Sequence, residues 1–122
     1  MNQEMFNDLY AQLGAMSPEI QGVALISNEG VVIFQEGETV ADQSLIGVAG
    51  AAVMRLAEHI SAGLAECTAQ EISIRCNRHA ALFVPVGADV LLMLVLSADT
   101  DTRPLAGAIL GIVSTFGQRV VL

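Results

Sequence analysis

Apolar and polar positions along the chain follow two alternating periods, and the switches between them mark the elements. Met5, Leu9, Leu13 and Met16 recur at helical spacing with Phe6 beside them, and Gly14 and Pro18 close the segment. A first helix is therefore predicted over residues 3–16. Val23 to Ile26 and Val31 to Phe34 are β-rich runs separated by Ser27-Asn28-Glu29-Gly30, a short loop whose last position suits positive φ; together they predict a hairpin. Asp42 is placed to N-cap a long helix that reaches about Ala65. Three more β-like runs follow, Glu71 to Cys76, Ala81 to Val86 and Val90 to Leu96, joined by Asn77-Arg78-His79 and Gly87-Ala88-Asp89. Leu105, Ile109, Ile112, Phe116 and Val120 give a third amphipathic helix opened near Pro104, a residue favoured in the first turn.

The run Glu71 to Cys76 alternates, with Ile72, Ile74 and Cys76 opposing Glu71, Ser73 and Arg75. The run Val90 to Leu96 has no polar face, so it predicts a central strand covered on both sides. Short connections favour hairpins. The expected fold is α+β in the order αββαβββα, with a five-stranded antiparallel sheet. The long helix lies on one face and the two terminal helices on the other. No linker, repeat or low-complexity tract interrupts the chain, so residues 1–122 read as one domain.

On the long helix, about 100° per residue from Leu45 gives two faces. Leu45, Ile46, Val53, Leu56, Ile60 and Leu64 form a wide aliphatic stripe expected to lie on the sheet. The other side carries Gly47, Ala51, Met54 and Ala62 with Val48 at its flank, and Arg55 and Glu58 as its charges. Small residues four apart admit a second helix backbone, and Met fills irregular gaps. Gly47 and Gly50 each cost about 1 kcal/mol in a helix interior unless close packing offsets it. The small-residue side is therefore read as the contact of an isologous dimer, with Arg55 opposite Glu58 of the other copy.

Composition points the same way. Hydrophobic residues make up 53% of the chain before its eleven glycines are counted, against about 45–50% with glycine included in an average domain. Five Arg and no Lys face thirteen Asp and Glu, for a net charge of −8. Phosphate backbones need clustered cations, so this balance argues against nucleic acid and anionic membranes. The absence of Lys excludes a Walker A loop and Schiff-base chemistry. The charge-free stretches Gln43 to Met54 and Pro104 to Gln118 fall short of the roughly 20 residues of a bilayer span, so no membrane insertion is expected. Two Cys and an N-terminus without basic or apolar signal character suggest the cytoplasm.

The order of elements, the sequence Gly-Val-Ala-Leu-Ile-Ser-Asn-Glu-Gly at residues 22–30 and the small-residue-rich central helix together resemble the roadblock family, which includes dynein light-chain roadblock proteins and bacterial MglB-like regulators. The resemblance runs from Phe6 to Phe116. It implies a homodimer that joins two sheets through the long helix and the following strand. It also implies a regulatory or scaffolding role, in bacteria commonly toward a Ras-like small GTPase. The dimer contact is carried onto Gly47, Ala51, Met54, Arg55 and Glu58, with Ile72 and Ile74 from the strand. The family has no short motif for the GTPase contact, so no residue is assigned to it.

Catalysis and cofactors are not expected. His59, Cys67, Cys76 and His79 are the conceivable metal set, but only Cys76 and His79 are as close as zinc ligand pairs usually are. The two Cys are read as small buried apolar residues. Ser61 is two positions from His59, a spacing that points two helical side chains apart. Glu36, Glu38, Asp42, Asp99 and Asp101 fall at element ends, where capping and solvation explain them. Among Arg55, Arg75, Arg78, Arg103 and Arg119, Arg78 is the most loop-like and the natural candidate for an arginine finger, although a solvated turn Arg is the plainer reading. The overall expectation is a non-enzymatic dimeric regulator or scaffold of a small GTPase. A structural adaptor in a motility or polarity assembly is the alternative. Small-ligand sensing is disfavoured, because helices on both faces should fill the space with side chains.

Overall fold

The computed structural model describes residues 2–37 and 42–117. Helix α1 spans Gln3–Met16, and its first turn is held by Asn2, whose side chain accepts from the Met5 N–H at 2.9 Å. Strands β1 (Ile20–Ser27) and β2 (Val32–Gly37) form the expected hairpin. Gly30 takes φ +88° in its turn, a conformation that L side chains rarely adopt. Asp42 caps α2 (Gln43–Gly63) by accepting the Leu45 N–H at 3.0 Å, as the sequence predicted. Strands β3 (Ile72–Arg75), β4 (His79–Val86) and β5 (Val90–Ser97) follow, and α3 (Arg103–Gly117) comes last. Val120, predicted to end that helix, lies outside the described residues.

The sheet has the order β2-β1-β5-β4-β3, and every neighbouring pair is antiparallel. The all-apolar strand β5 is central, as its lack of a polar face required. Its even positions, Val90, Leu92, Leu94 and Leu96, join Phe6, Leu9 and Leu13 of α1 and Ile109, Val113 and Phe116 of α3 in the larger core. Phe6 stacks on Phe34 of β2 with ring centroids 5.3 Å apart. The odd positions Leu91 and Met93 face α2, together with Ala24, Ile26, Met54 and Phe83. The fold is thus α+β, with α1 and α3 on one face of the sheet and α2 on the other.

The two faces are not equally covered. Two helices fill one side, whereas α2 alone covers the other and makes its main contacts with β1, β2 and β5. Strand β3 is a four-residue edge strand that pairs with β4 through Ile72↔Phe83 and Ile74↔Ala81. This places Ile72 and Ile74 on the α2 face, at the end of the sheet that α2 covers least.

Candidate functional site

Helix α2 is turned the opposite way from the sequence expectation. Gly47, Gly50, Ala51, Met54 and Ala57 are its buried residues. The aliphatic stripe instead lies outward: Leu45 and Val48 are 65% exposed, Leu56 54%, Ile60 50% and Leu64 56%. Ile46 and Val53 are half-buried at the stripe's flank, packed against the α2-side core.

The physical reason is close approach. A Cβ built on Gly47 would lie 2.1 Å from the Gly30 carbonyl oxygen, so the helix backbone rests directly on the β1–β2 turn. A Cβ on Gly50 would meet the Ile26 side chain at 2.8 Å. Gly47 does admit a neighbouring backbone, as its energetic cost suggested, but that backbone belongs to the chain's own hairpin, and Gly50 makes room for a side chain of the same hairpin. Gly47, Ala51 and Met54, onto which the sequence reading carries the dimer contact, are therefore covered within one copy of the chain. Arg55 and Glu58 are exposed. Ile72 is half-buried, and Ile74 is exposed by 46% at the sheet edge.

Of the exposed stripe, Leu45, Leu56, Ile60 and Leu64 are residues that the sequence pattern places on the sheet, whereas Val48 is expected at the flank of the small-residue side. The spacing of Gly47, Gly50, Ala51, Met54 and Ala57, at offsets of three, four, seven and ten, was the available signal. It marks a sheet-facing stripe built from small residues. Among the described helices, α2 is also the one long and apolar enough to cross a bilayer. In the fold it lies along the sheet instead.

Because α2 sits over one half of its face, a cleft of about 350 Å³ opens beneath its C-terminal half. Ile72, Phe83 and Leu91 belong to the sheet side of this cleft, and Met54 and Ala57 to the helix side. Glu58, Ser61, Cys67, Thr68 and Glu71 also line it. The Ala69 N–H donates to Ser61 Oγ at 3.1 Å, tying the connection after α2 back to the helix. Glu66 in that connection adopts φ +56°. The expectation that side chains fill both faces of the sheet is thus corrected.

The remaining candidates are dispersed. His79 Nδ1 lies 3.0 Å from Gln21 Oε1, while Cys67 and Cys76 are both exposed rather than buried. Among the described residues, no three His, Cys, Asp or Glu side chains gather as metal ligands would. Arg75 donates to the carbonyls of Ala98 and Thr100, so it clamps the connection between β5 and α3. Arg103 and Asp101 pair at 3.0 Å. The hydrogen bonds and charge of Arg103 hold the Asp101 carboxyl below its usual range. Arg78 is exposed in the β3–β4 turn, which the Cys76 N–H closes on the His79 carbonyl at 2.8 Å. Glu38 and Arg119 lie outside the described residues.

No protein-family model and no curated protein matches the sequence. The fold, by contrast, is shared with solved structures over almost the whole chain. Myxococcus xanthus MglB superposes with a TM-score of 0.76 at 16% identity, covering 100% of this chain and 96% of that one. A Roadblock/LC7 domain from Streptomyces avermitilis gives 0.75 at 12% identity over 91% and 93%. LokiProfilin2, solved in complex with rabbit actin, gives 0.65 at 10% identity over 98% and 100%. The chain has the roadblock fold.

Proposed function

We propose that this chain is a non-catalytic homodimeric regulator or scaffold that binds a small Ras-like GTPase in the cytoplasm. The observation that carries the reading is the outward aliphatic stripe of α2. Full burial of a large aliphatic side chain contributes about 1.5–3 kcal/mol, and five such side chains stand at least half exposed along one helix. An apolar surface of this kind marks an interaction site. A second copy approaching about a two-fold axis would bury the stripe against its own counterpart. The free side of β3, with Ile74 beside it, would extend the sheet across the same boundary.

The GTPase partner follows from the roadblock resemblance together with the fold shared with MglB. A regulator of this kind acts by holding the GTPase's own switch elements in place. The fold shared with an actin-bound profilin supports the adaptor reading as an alternative. Sedimentation at several concentrations tests the dimer. A pull-down with a candidate Ras-like GTPase, followed by a GTP hydrolysis assay, tests the partner. Firm binding with altered hydrolysis supports the regulator, firm binding with unchanged hydrolysis assigns the adaptor, and no binding removes the GTPase reading.

A further inference from the structure

Arg75 sits at the end of the edge strand, yet its side chain reaches two strands inward. It pairs with Ala80 across the β3–β4 ladder, and Ala80 pairs with Leu96 across the next. Directly opposite residues share a face of a sheet, and Ala80 and Leu96 belong to the larger core. Arg75 therefore lies on the α1–α3 side, away from α2. From there its guanidinium donates to the carbonyls of Ala98 and Thr100, in the connection of residues 98–102 between β5 and α3. The other flank of this connection is held by Glu19, whose carboxylate accepts from Ser97 Oγ at 2.8 Å and from Thr100 Oγ1 at 3.4 Å. The Thr100 N–H donates to the Ser97 carbonyl, and the Leu105 and Ala106 N–H groups donate to the Thr102 carbonyl where α3 begins.

We propose that β3 and the connection of residues 98–102 open and close as one unit, with Arg75 as the positioning residue that links them. Strand β3 has four residues and a single ladder, with β4. A short edge strand of this kind belongs to the low-stability end of a fold. While β3 stays in its ladder, the Arg75 backbone is fixed and one side chain secures two carbonyls. When β3 leaves the ladder, both hydrogen bonds leave with it and the connection keeps Glu19 alone. The linkage is reciprocal, so loosening the connection loosens β3 by the same factor. Whatever pairs with the outer side of β3 thus also steadies the start of α3. A second copy of the chain is one such pairing, and that step alone rests on the dimer reading.

The test is a double-mutant cycle read by amide hydrogen exchange in the full, folded chain. Glu19→Ala loosens the connection from the flank remote from β3. The reporter is the Cys76 N–H, which donates to the His79 carbonyl at 2.8 Å just beyond β3. Arg75→Gln removes the link, and both substitutions are at exposed positions. Glu19→Ala is expected to speed exchange at Cys76 about fivefold, the size of one net hydrogen bond, and to leave it unchanged once Arg75 is Gln. Arg75→Gln alone should speed exchange at Thr100, Leu105 and Ala106, with the amides of the central strand β5 unaffected. The proposal is overturned if Glu19→Ala does not move Cys76, or moves it equally with and without Arg75. Equal acceleration in β5 marks global unfolding in place of a local unit and overturns it as well. Sedimentation under the same conditions assigns the oligomeric state, so a monomer removes the dimer reading while the linkage still stands or falls on the cycle.

Discussion

At the residue scale, the glycines of this chain divide by what surrounds them. A methyl group at Gly47 would collide with the Gly30 carbonyl oxygen at 2.1 Å, a backbone atom that moves only if the helix or the hairpin turn moves with it. Gly47→Ala should therefore destabilise the fold by about 2 kcal/mol, in the range of overpacked cores. At Gly50 the obstacle is the end of the Ile26 side chain, 2.8 Å away, so Gly50→Ala should cost less, part of it offset by better helix propensity. Gly111 in α3 has nothing within 4 Å of an added Cβ. Gly111→Ala should raise stability by about 1 kcal/mol. Urea denaturation of the three variants checks the order, and an equal effect at Gly47 and Gly111 would contradict the packing account. The Asp101–Arg103 pair supplies a pH test at the same scale. The side-chain hydrogen bond from Arg103 lowers the folded-state pKa of Asp101 below the ordinary value of a free aspartate. The pair's small contribution is present above that value and lost as pH falls through the depressed one. Arg103→Gln should return the Asp101 titration upward, as read by carboxyl NMR.

At the element scale, order and layering were legible because each depends on period alone. The unbroken apolar run of β5 requires burial on both faces, and that requirement placed α2 opposite α1 and α3. The orientation of α2 was not legible from hydrophobicity, because both its sides are apolar and the larger side chains point the wrong way. Size argues for Leu45 and Leu56 in the core, but Gly47 and Gly50 allow the helix to approach the hairpin more closely than any leucine would. The cleft was hidden for a related reason: sequence period shows that a face is covered, not how far along the sheet the cover extends. The revised orientation changes which substitution tests the dimer. Leu56→Glu lies on the exposed stripe and should abolish self-association while shifting folding stability by no more than about 0.5 kcal/mol. Ala51→Glu would bury a carboxylate at a position 7% exposed and should disrupt folding itself. Sedimentation and thermal melts on the two variants distinguish these outcomes. A dimer that persists in Leu56→Glu would move the interface off the stripe.

For the whole molecule, the proposed role toward a small GTPase raises the question of how such a protein would influence GTP hydrolysis. An arginine finger placed in trans supplies about 10³–10⁵ in rate because it stabilises charge developing in the transition state. Such a residue must reach the nucleotide from a mobile or projecting position with its guanidinium uncommitted. Arg75 is held by the carbonyls of Ala98 and Thr100, and Arg103 by Asp101. Arg55 is exposed on α2 beside Leu56 of the stripe, and Arg78 projects from the β3–β4 turn, both at the surface that the proposed dimer uses. A turn that packs beside a two-fold axis is poorly placed to enter a partner's nucleotide site. Any stimulation is therefore expected to come from contacts that hold the GTPase's switch segments, spread over many residues. Arg78→Ala should change stimulated hydrolysis by no more than about threefold, with binding intact, because loss of one exposed contact is worth less than about 1 kcal/mol. A fall of several hundredfold at unchanged affinity would identify Arg78 as a finger and replace the positioning account. Single-turnover hydrolysis at saturating regulator separates the two, since it reads the chemical step after binding is complete.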